Sequence, residues 1–183
     1  KCCLAGTRQN IFEEAWSWID NYQRARTSEV FWISDVAGSG KSTIAHSLCQ
    51  QAREKGILWS CFFFDRMSAE RSTPNMFITT LIRDLAALDQ KLGEEIADIL
   101  QREPSLCSAS FSRQLKDIVL RPSVIDLYPK GRGLIVVDAL DEAWSEALFE
   151  WFSDGVPKLN ANIRFVVTSR PIAEVGREFG PVS

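Results

Sequence analysis

Residues 35–42 read Asp35-Val36-Ala37-Gly38-Ser39-Gly40-Lys41-Ser42, and Thr43 follows. A lysine and two hydroxyls directly behind paired glycines are the side chains that a nucleotide's phosphates and Mg²⁺ require. Gly38 and Gly40 allow a tight turn whose backbone N–H groups face oxygens that a side chain would block. From such a turn Lys41 reaches the β- and γ-phosphates, and Ser42 offers its hydroxyl to Mg²⁺. A helix starting at Lys41 would aim its positive end at the same anions. The plain alternative is a glycine-rich turn with a solvent-facing lysine.

One position departs from this pattern. A phosphate loop of the usual form opens on glycine, and here that place is Asp35. Facing inward, its carboxylate would repel phosphate, and aspartate tolerates poorly the backbone angles open to glycine. Facing outward, it would cost only modest affinity. The sequence leaves both open.

A second cluster, Asp138-Ala139-Leu140-Asp141-Glu142, closes the apolar run Leu134 to Val137. At a strand's end Asp138 is placed to hold Mg²⁺ directly or through water. Asp141 and Glu142 lie near enough to align a water or take its proton, and the chemistry needs only one of them. The competing reading is that these acids cap the helix that follows. Arg170, behind Val166-Val167-Thr168-Ser169, could read the γ-phosphate or could be a surface arginine. Arg66 closes the second strand in the same way but has less support and stays outside the predicted site. His46 has no visible partner and reads as a surface or packing residue.

These residues need elements to position them. An amphipathic helix is predicted from a cap at Asn10 to about Arg24, with Ile11, Ala15, Trp18 and Tyr22 on one face. Val30 to Ser34, Ile57 to Phe64, Leu134 to Val137 and Ile163 to Thr168 read as strands. They are apolar without alternation, as in a parallel sheet covered on both faces. Between them come a helix from Lys41 to Glu54 stopped by Gly56, and one opened by Thr73-Pro74 that breaks near Asp89 or Gly93. A helix over Ala109 to Arg121 and an amphipathic segment over Glu142 to Phe152 complete the set. Strands alternating with helices predict an α/β fold, a doubly wound, mainly parallel sheet in three layers. The tail offers no convincing fifth strand. Ligands then belong at the carboxyl ends of the strands, where the loop at 35, the acids at 138–142 and Arg170 all emerge.

Composition narrows the class. The 183 residues are 45% hydrophobic and 25% charged, and 21 basic against 24 acidic side chains give a net charge of -3. That balance offers no electrostatic reason to expect nucleic-acid binding. The apolar runs are far short of a membrane span, and no signal-peptide pattern opens the chain. Cysteines at 2, 3, 49, 61 and 107 are odd in number and without paired spacing, which argues against a disulfide framework. A lone histidine leaves no zinc cluster. Cys49 and Cys61 read best as small buried hydrophobes in a reducing, cytoplasmic setting.

Together these segments resemble the NACHT nucleotide-triphosphatase domain of STAND-class signalling proteins, the fungal NLR-like kind above all. The resemblance rests on Cys3-Leu4-Ala5-Gly6-Thr7-Arg8, Phe31-Trp32-Ile33, Ala37 to Ser42, Phe62-Phe63-Phe64-Asp65-Arg66, Val137 to Glu142 and Val167-Thr168-Ser169-Arg170-Pro171. It implies a P-loop NTPase core of the ASCE/STAND type over 29–183, with residues 1–28 as a lead-in segment and helix packed on it. By the same resemblance Lys41 binds phosphate, Ser42 and Asp138 hold Mg²⁺, Asp141 or Glu142 supports hydrolysis, and Arg170 senses phosphate. Gly6, Thr7 and Arg8 sit near base and sugar. The nucleotide is ATP or GTP, slowly hydrolysed, and its state switches self-association or contact with sensor and effector proteins. The rival expectation is a nucleotide-independent interaction module whose phosphate loop Asp35 has blunted.

Overall fold

The computed structural model describes residues 9–21, 29–159, 162–171 and 173. The chain runs α1 (Gln9–Asp20), β1 (Val30–Ser34), α2 (Lys41–Glu54), β2 (Leu58–Phe63), α3 (Pro74–Ala86) and α4 (Gln90–Arg102). It continues with α5 (Phe111–Gln114), α6 (Pro122–Ile125), β3 (Gly133–Asp138), α7 (Glu146–Glu150) and β4 (Ile163–Ser169). The four strands form one sheet in the order β1-β4-β3-β2, and every pairing is parallel.

The strands' unbroken apolar character has a direct cause. All six residues of β3 and all seven of β4 are buried, because helices cover both faces of the sheet. Leu134, Val136, Val166 and Ile33 point to one side, where Ala15 and Ile19 of α1 and Ile44, Ala45 and Leu48 of α2 meet them. Ile135, Val137, Phe165 and Val167 point to the other, into a larger core with Phe77, Leu81, Ile96 and Ile118. Each such aliphatic side chain withdrawn from water contributes roughly 1.5–3 kcal/mol, so the two faces fix the register. The result is a doubly wound α/β/α sandwich, the architecture of a P-loop NTPase core. No described helix is long and apolar enough to cross a membrane.

Local signals set the helix ends. Thr73 caps α3 by accepting from the Met76 N–H, with Pro74 at the first helical position. Asp89 accepts from the N–H groups of Lys91 and Leu92, so the predicted break falls at Asp89 and not at Gly93. α1 opens at Gln9, one residue ahead of the expected cap at Asn10, and its predicted end at Arg24 lies outside the described residues. It is pinned to α2 by Trp16, whose Nε1 donates to Gln51 Oε1 (2.5 Å) and whose ring lies 3.8 Å from the Lys55 ammonium. Gly133 opens β3 against the Trp59 indole, where an added Cβ would come within 2.4 Å of the ring.

The largest departure from expectation is the segment after β3. It is not one helix from Glu142 to Phe152. Leu140–Glu142 forms a 3₁₀ turn, α7 starts only after Ser145, and Trp151–Gly155 widens into a π-helical turn. Ser145 is the reason: its hydroxyl accepts from the Leu148 N–H and caps α7 three residues beyond Glu142.

Candidate functional site

Two of the predicted clusters sit at the carboxyl ends of β1 and β3, and β4 lies between those strands and joins them. Ser34 of β1 pairs with Ser169 of β4, and the Asp35 N–H donates to the Ser169 carbonyl (3.4 Å). The Trp32 indole N–H reaches Ser169 Oγ (2.8 Å). On the other side Thr168 Oγ1 donates to Asp138 Oδ1 at 2.5 Å and accepts from the Ala139 N–H at 3.0 Å. One strand end therefore ties the start of the glycine loop to the acidic turn.

The loop itself is organised by backbone. Gly38 and Gly40 adopt φ of 78° and 86°, the left-handed region that a side chain disfavours. This turns the chain into α2, with Gly40 at its N-cap, so Lys41, Ser42 and Thr43 occupy the first turn. The Lys41 ammonium donates to the carbonyls of Asp35 (2.6 Å) and Val36 (2.7 Å) and to Ser39 Oγ (3.3 Å), which holds the charge at the loop's own mouth. Ala37 and Gly38 are exposed, Ser39 and Gly40 half-buried, and Ser42 exposed. Asp35 has no positive φ, so glycine's backbone freedom is not needed there. Its Oδ1 accepts from the Val36 N–H (2.7 Å), and the residue is exposed.

The acidic turn is held mainly by side chains. Asp138 is only 3% exposed and Asp141 9%. Ala139, at φ 55°, is the sole described non-glycine residue in the left-handed region, and it turns the chain sharply out of β3. Asp141 Oδ1 accepts from the Arg170 N–H (3.0 Å), and Oδ2 lies 3.4 Å from Arg170 Nε. Glu142 Oε1 lies 3.8 Å from Arg170 Nη2. Asp141, Glu142 and Arg170 are thus one ion-paired group, and the acids do not cap α7.

Arg66, set aside on sequence grounds, belongs to this group. Its N–H donates to Glu142 Oε2 (2.9 Å), its Nε to the Glu142 carbonyl (3.2 Å) and its Nη2 to the Asp141 carbonyl (3.0 Å). The only sequence signal for it was its place two residues past the predicted end of an apolar strand, shared with Arg170. Thr168 was read as part of a strand, and nothing in its neighbours announced its bond to Asp138. His46, which showed no partner, stacks on Phe63 with ring centroids 4.1 Å apart. Gly6, Thr7 and Arg8 lie outside the described residues.

The donor set suits a hard cation shared with phosphate. Among the described residues Asp138 accepts one side-chain hydrogen bond, from Thr168 to Oδ1. The exposed Ser42 hydroxyl stands at the start of α2. Among the described residues no group of three His, Cys, Asp or Glu side chains forms a metal cage. Mg²⁺ does not need one, since it is usually held by one or two carboxylates together with phosphates and water.

Comparison with known proteins agrees with this architecture. The Orc1 protein of Aeropyrum pernix, solved in complex with DNA, superposes with a TM-score of 0.55 at 16% identity over 96% of this chain. The chain spans 44% of that protein, and at this identity the likeness is one of fold. No curated protein sequence matches. A family model, Nephrocystin 3, N-terminal, matches residues 6–170, which include the glycine loop, Arg66, the acidic turn and Arg170. By that match the chain belongs to the Nephrocystin 3, N-terminal family.

Proposed function

We propose that this chain binds ATP or GTP together with Mg²⁺ and hydrolyses it slowly, as the switch core of a signalling protein of the NACHT/STAND type. The observation that carries the proposal is the bridge made by β4, which holds the glycine loop and Asp138 on its two sides through Ser169 and Thr168. Gly38, Ser39 and Gly40 would turn backbone N–H groups toward the phosphates, and Lys41 would leave the Asp35 and Val36 carbonyls for the β- and γ-oxygens. Ser42 and Asp138 would hold Mg²⁺, which when bound neutralises charge on the phosphate oxygens. Glu142 is the better placed of the two acids to orient water. Asp141 is the more buried and is committed to the Arg170 main chain, whereas Glu142 is 23% exposed. Arg170, paired loosely with both, would exchange those partners for the γ-phosphate.

Residues 29–183 would form the nucleotide core and residues 1–28 a segment docked on it through α1. Self-association or a sensor or effector partner would then read the nucleotide state.

Calorimetric titration with ATP and GTP, each with Mg²⁺, tests the reading on the original chain and on Lys41→Ala and Asp35→Gly. Micromolar binding that Lys41→Ala abolishes supports it and names the base. Silence from the original chain and from Asp35→Gly alike would leave an interaction module that keeps the fold without the nucleotide.

A further inference from the structure

The nucleotide site leaves one reactive pair unused. Cys49 lies in α2, the helix whose first turn carries Lys41 and Ser42, and is buried. Cys61 lies in β2 and packs against the same cluster of side chains between helix and sheet. The two thiols, twelve residues apart in sequence, share that cluster and perturb one another's ionisation. Unlike Cys49, Cys61 reaches solvent. β2 is an edge strand, and along it runs an open groove of about 300 Å³ lined by Arg53, Trp59, Ser60, Cys61, Asp84 and Leu88. Arg53, in the last turn of α2, lines the same groove as Cys61. Asp84 of α3 faces the groove from the other side and is held there by Ser60 Oγ (2.7 Å).

We propose that Cys61 and Cys49 form a thiol oxidation site for hydroperoxides, with Cys61 as the attacking sulfur and Cys49 as the resolving thiol. The groove admits a small oxidant to Cys61, Arg53 favours its thiolate, and Cys49 waits behind it where no oxidant need reach. In the first step the Cys61 thiolate bonds to one peroxide oxygen and the O–O bond breaks. The other oxygen leaves as hydroxide or alkoxide and takes a proton from solvent, and Cys61 is oxidised by two electrons to the sulfenic acid. In the second step the Cys49 sulfur bonds to the Cys61 sulfur and the S–O bond breaks. Hydroxide departs with the Cys49 proton as water, leaving a disulfide between α2 and β2.

Charges facing the pair are consistent with this division of labour. The neighbouring Cys49 thiol and then the Arg53 guanidinium hold the Cys61 thiol down to about 7, against burial and the Asp84 carboxylate. The neighbouring Cys61 thiol, burial and more weakly the Asp138 carboxylate push Cys49 up, with Arg53 opposing, so Cys49 stays a thiol until sulfenic acid forms beside it. The product would tie the helix behind the phosphate loop to the edge of the sheet.

The test treats the reduced full chain with stoichiometric hydrogen peroxide and follows mass and peptide map. The first product should lose two hydrogens and yield one cross-linked peptide joining Cys49 to Cys61, at a rate that rises with pH and levels off above about 7. Cys49→Ala should stop at a Cys61 sulfenic acid captured by a 1,3-diketone, and Cys61→Ser should leave Cys49 reduced. The cross-link readout needs only the unsubstituted chain, so a poorly folding variant does not rescue the idea. Oxidation of Cys107 while Cys49 and Cys61 both remain reduced would overturn it. So would Cys61 oxidation that never joins Cys49.

Discussion

The glycine loop and the acidic turn stand at the ends of the two strands that flank β4, yet they are built on opposite principles. The loop is exposed, and its shape comes largely from local devices: two glycines at positive φ and a lysine folded back on carbonyls five and six residues before it. The acidic turn is buried, and most of its ties come from far away in the chain. Thr168 lies 30 residues from Asp138, Arg170 29 from Asp141, and Arg66 some 75 from both acids. A local device can be changed without disturbing the fold, whereas a device closed by distant partners cannot. Binding and stability should therefore respond in opposite ways to substitutions in the two regions.

The largest expected effect is on binding. Lys41→Ala removes the one ammonium aimed into the loop, and two charge-assisted contacts to phosphate are worth roughly 3 kcal/mol or more, about a 100-fold loss of affinity. Thermal stability should hardly move, because water can take the exposed carbonyls that Lys41 now serves. If the melting temperature fell along with affinity, the loop would be part of the fold's support and the contrast would collapse.

Asp141→Ala should do the reverse. It strips a buried carboxylate from the Arg170 N–H and guanidinium, and leaving such partners unmet costs about 2 kcal/mol. The urea midpoint should drop with an unchanged slope. Nucleotide affinity, measured where the variant is still folded, should change less than in Lys41→Ala.

Arg66→Met comes next. It keeps the side chain's apolar stem but deletes donors to the Asp141 and Glu142 carbonyls, both reached at an exposed or half-exposed position. A loss of roughly 1 kcal/mol is expected. Hydrolysis should suffer more than nucleotide binding, because the main chain that carries Glu142 is loosened while the loop is untouched. Equal losses in both would mean that Arg66 acts only through the fold.

The same contrast explains what could be read from the sequence. The strands declared themselves because burial on both faces leaves no alternation, and Asp89 and Thr73-Pro74 carried their cap signals within four residues. The glycine turn was legible for the same reason, since the residues that shape it are contiguous. Arg66 and Thr168 were not, because each acquires its meaning only when the parallel sheet brings distant segments side by side. The stretch over 142–152 misled in a different way. Its apolar spacing suits a helix throughout, but Ser145 competes for the N-cap and confines the regular part to five residues.

The smallest effect bears most directly on how the acidic turn is held. Ala139 sits at φ 55°, a conformation that costs a residue with a Cβ about 1 kcal/mol and glycine almost nothing. Ala139→Gly removes that strain but widens the unfolded ensemble, an opposing term of about 0.4–1 kcal/mol. The balance should be a gain of a few tenths of a kcal/mol at most, visible as a small rise in urea midpoint. Its interpretive weight lies in combination with Arg66→Met. If distant bonds force Ala139 into the left-handed region, relieving the strain makes those bonds less necessary. The double variant should then lose less stability than the two single changes summed. Strict additivity would show instead that Arg66 has no part in holding Ala139's conformation, and would leave that task to the Thr168 hydroxyl that the Ala139 N–H reaches.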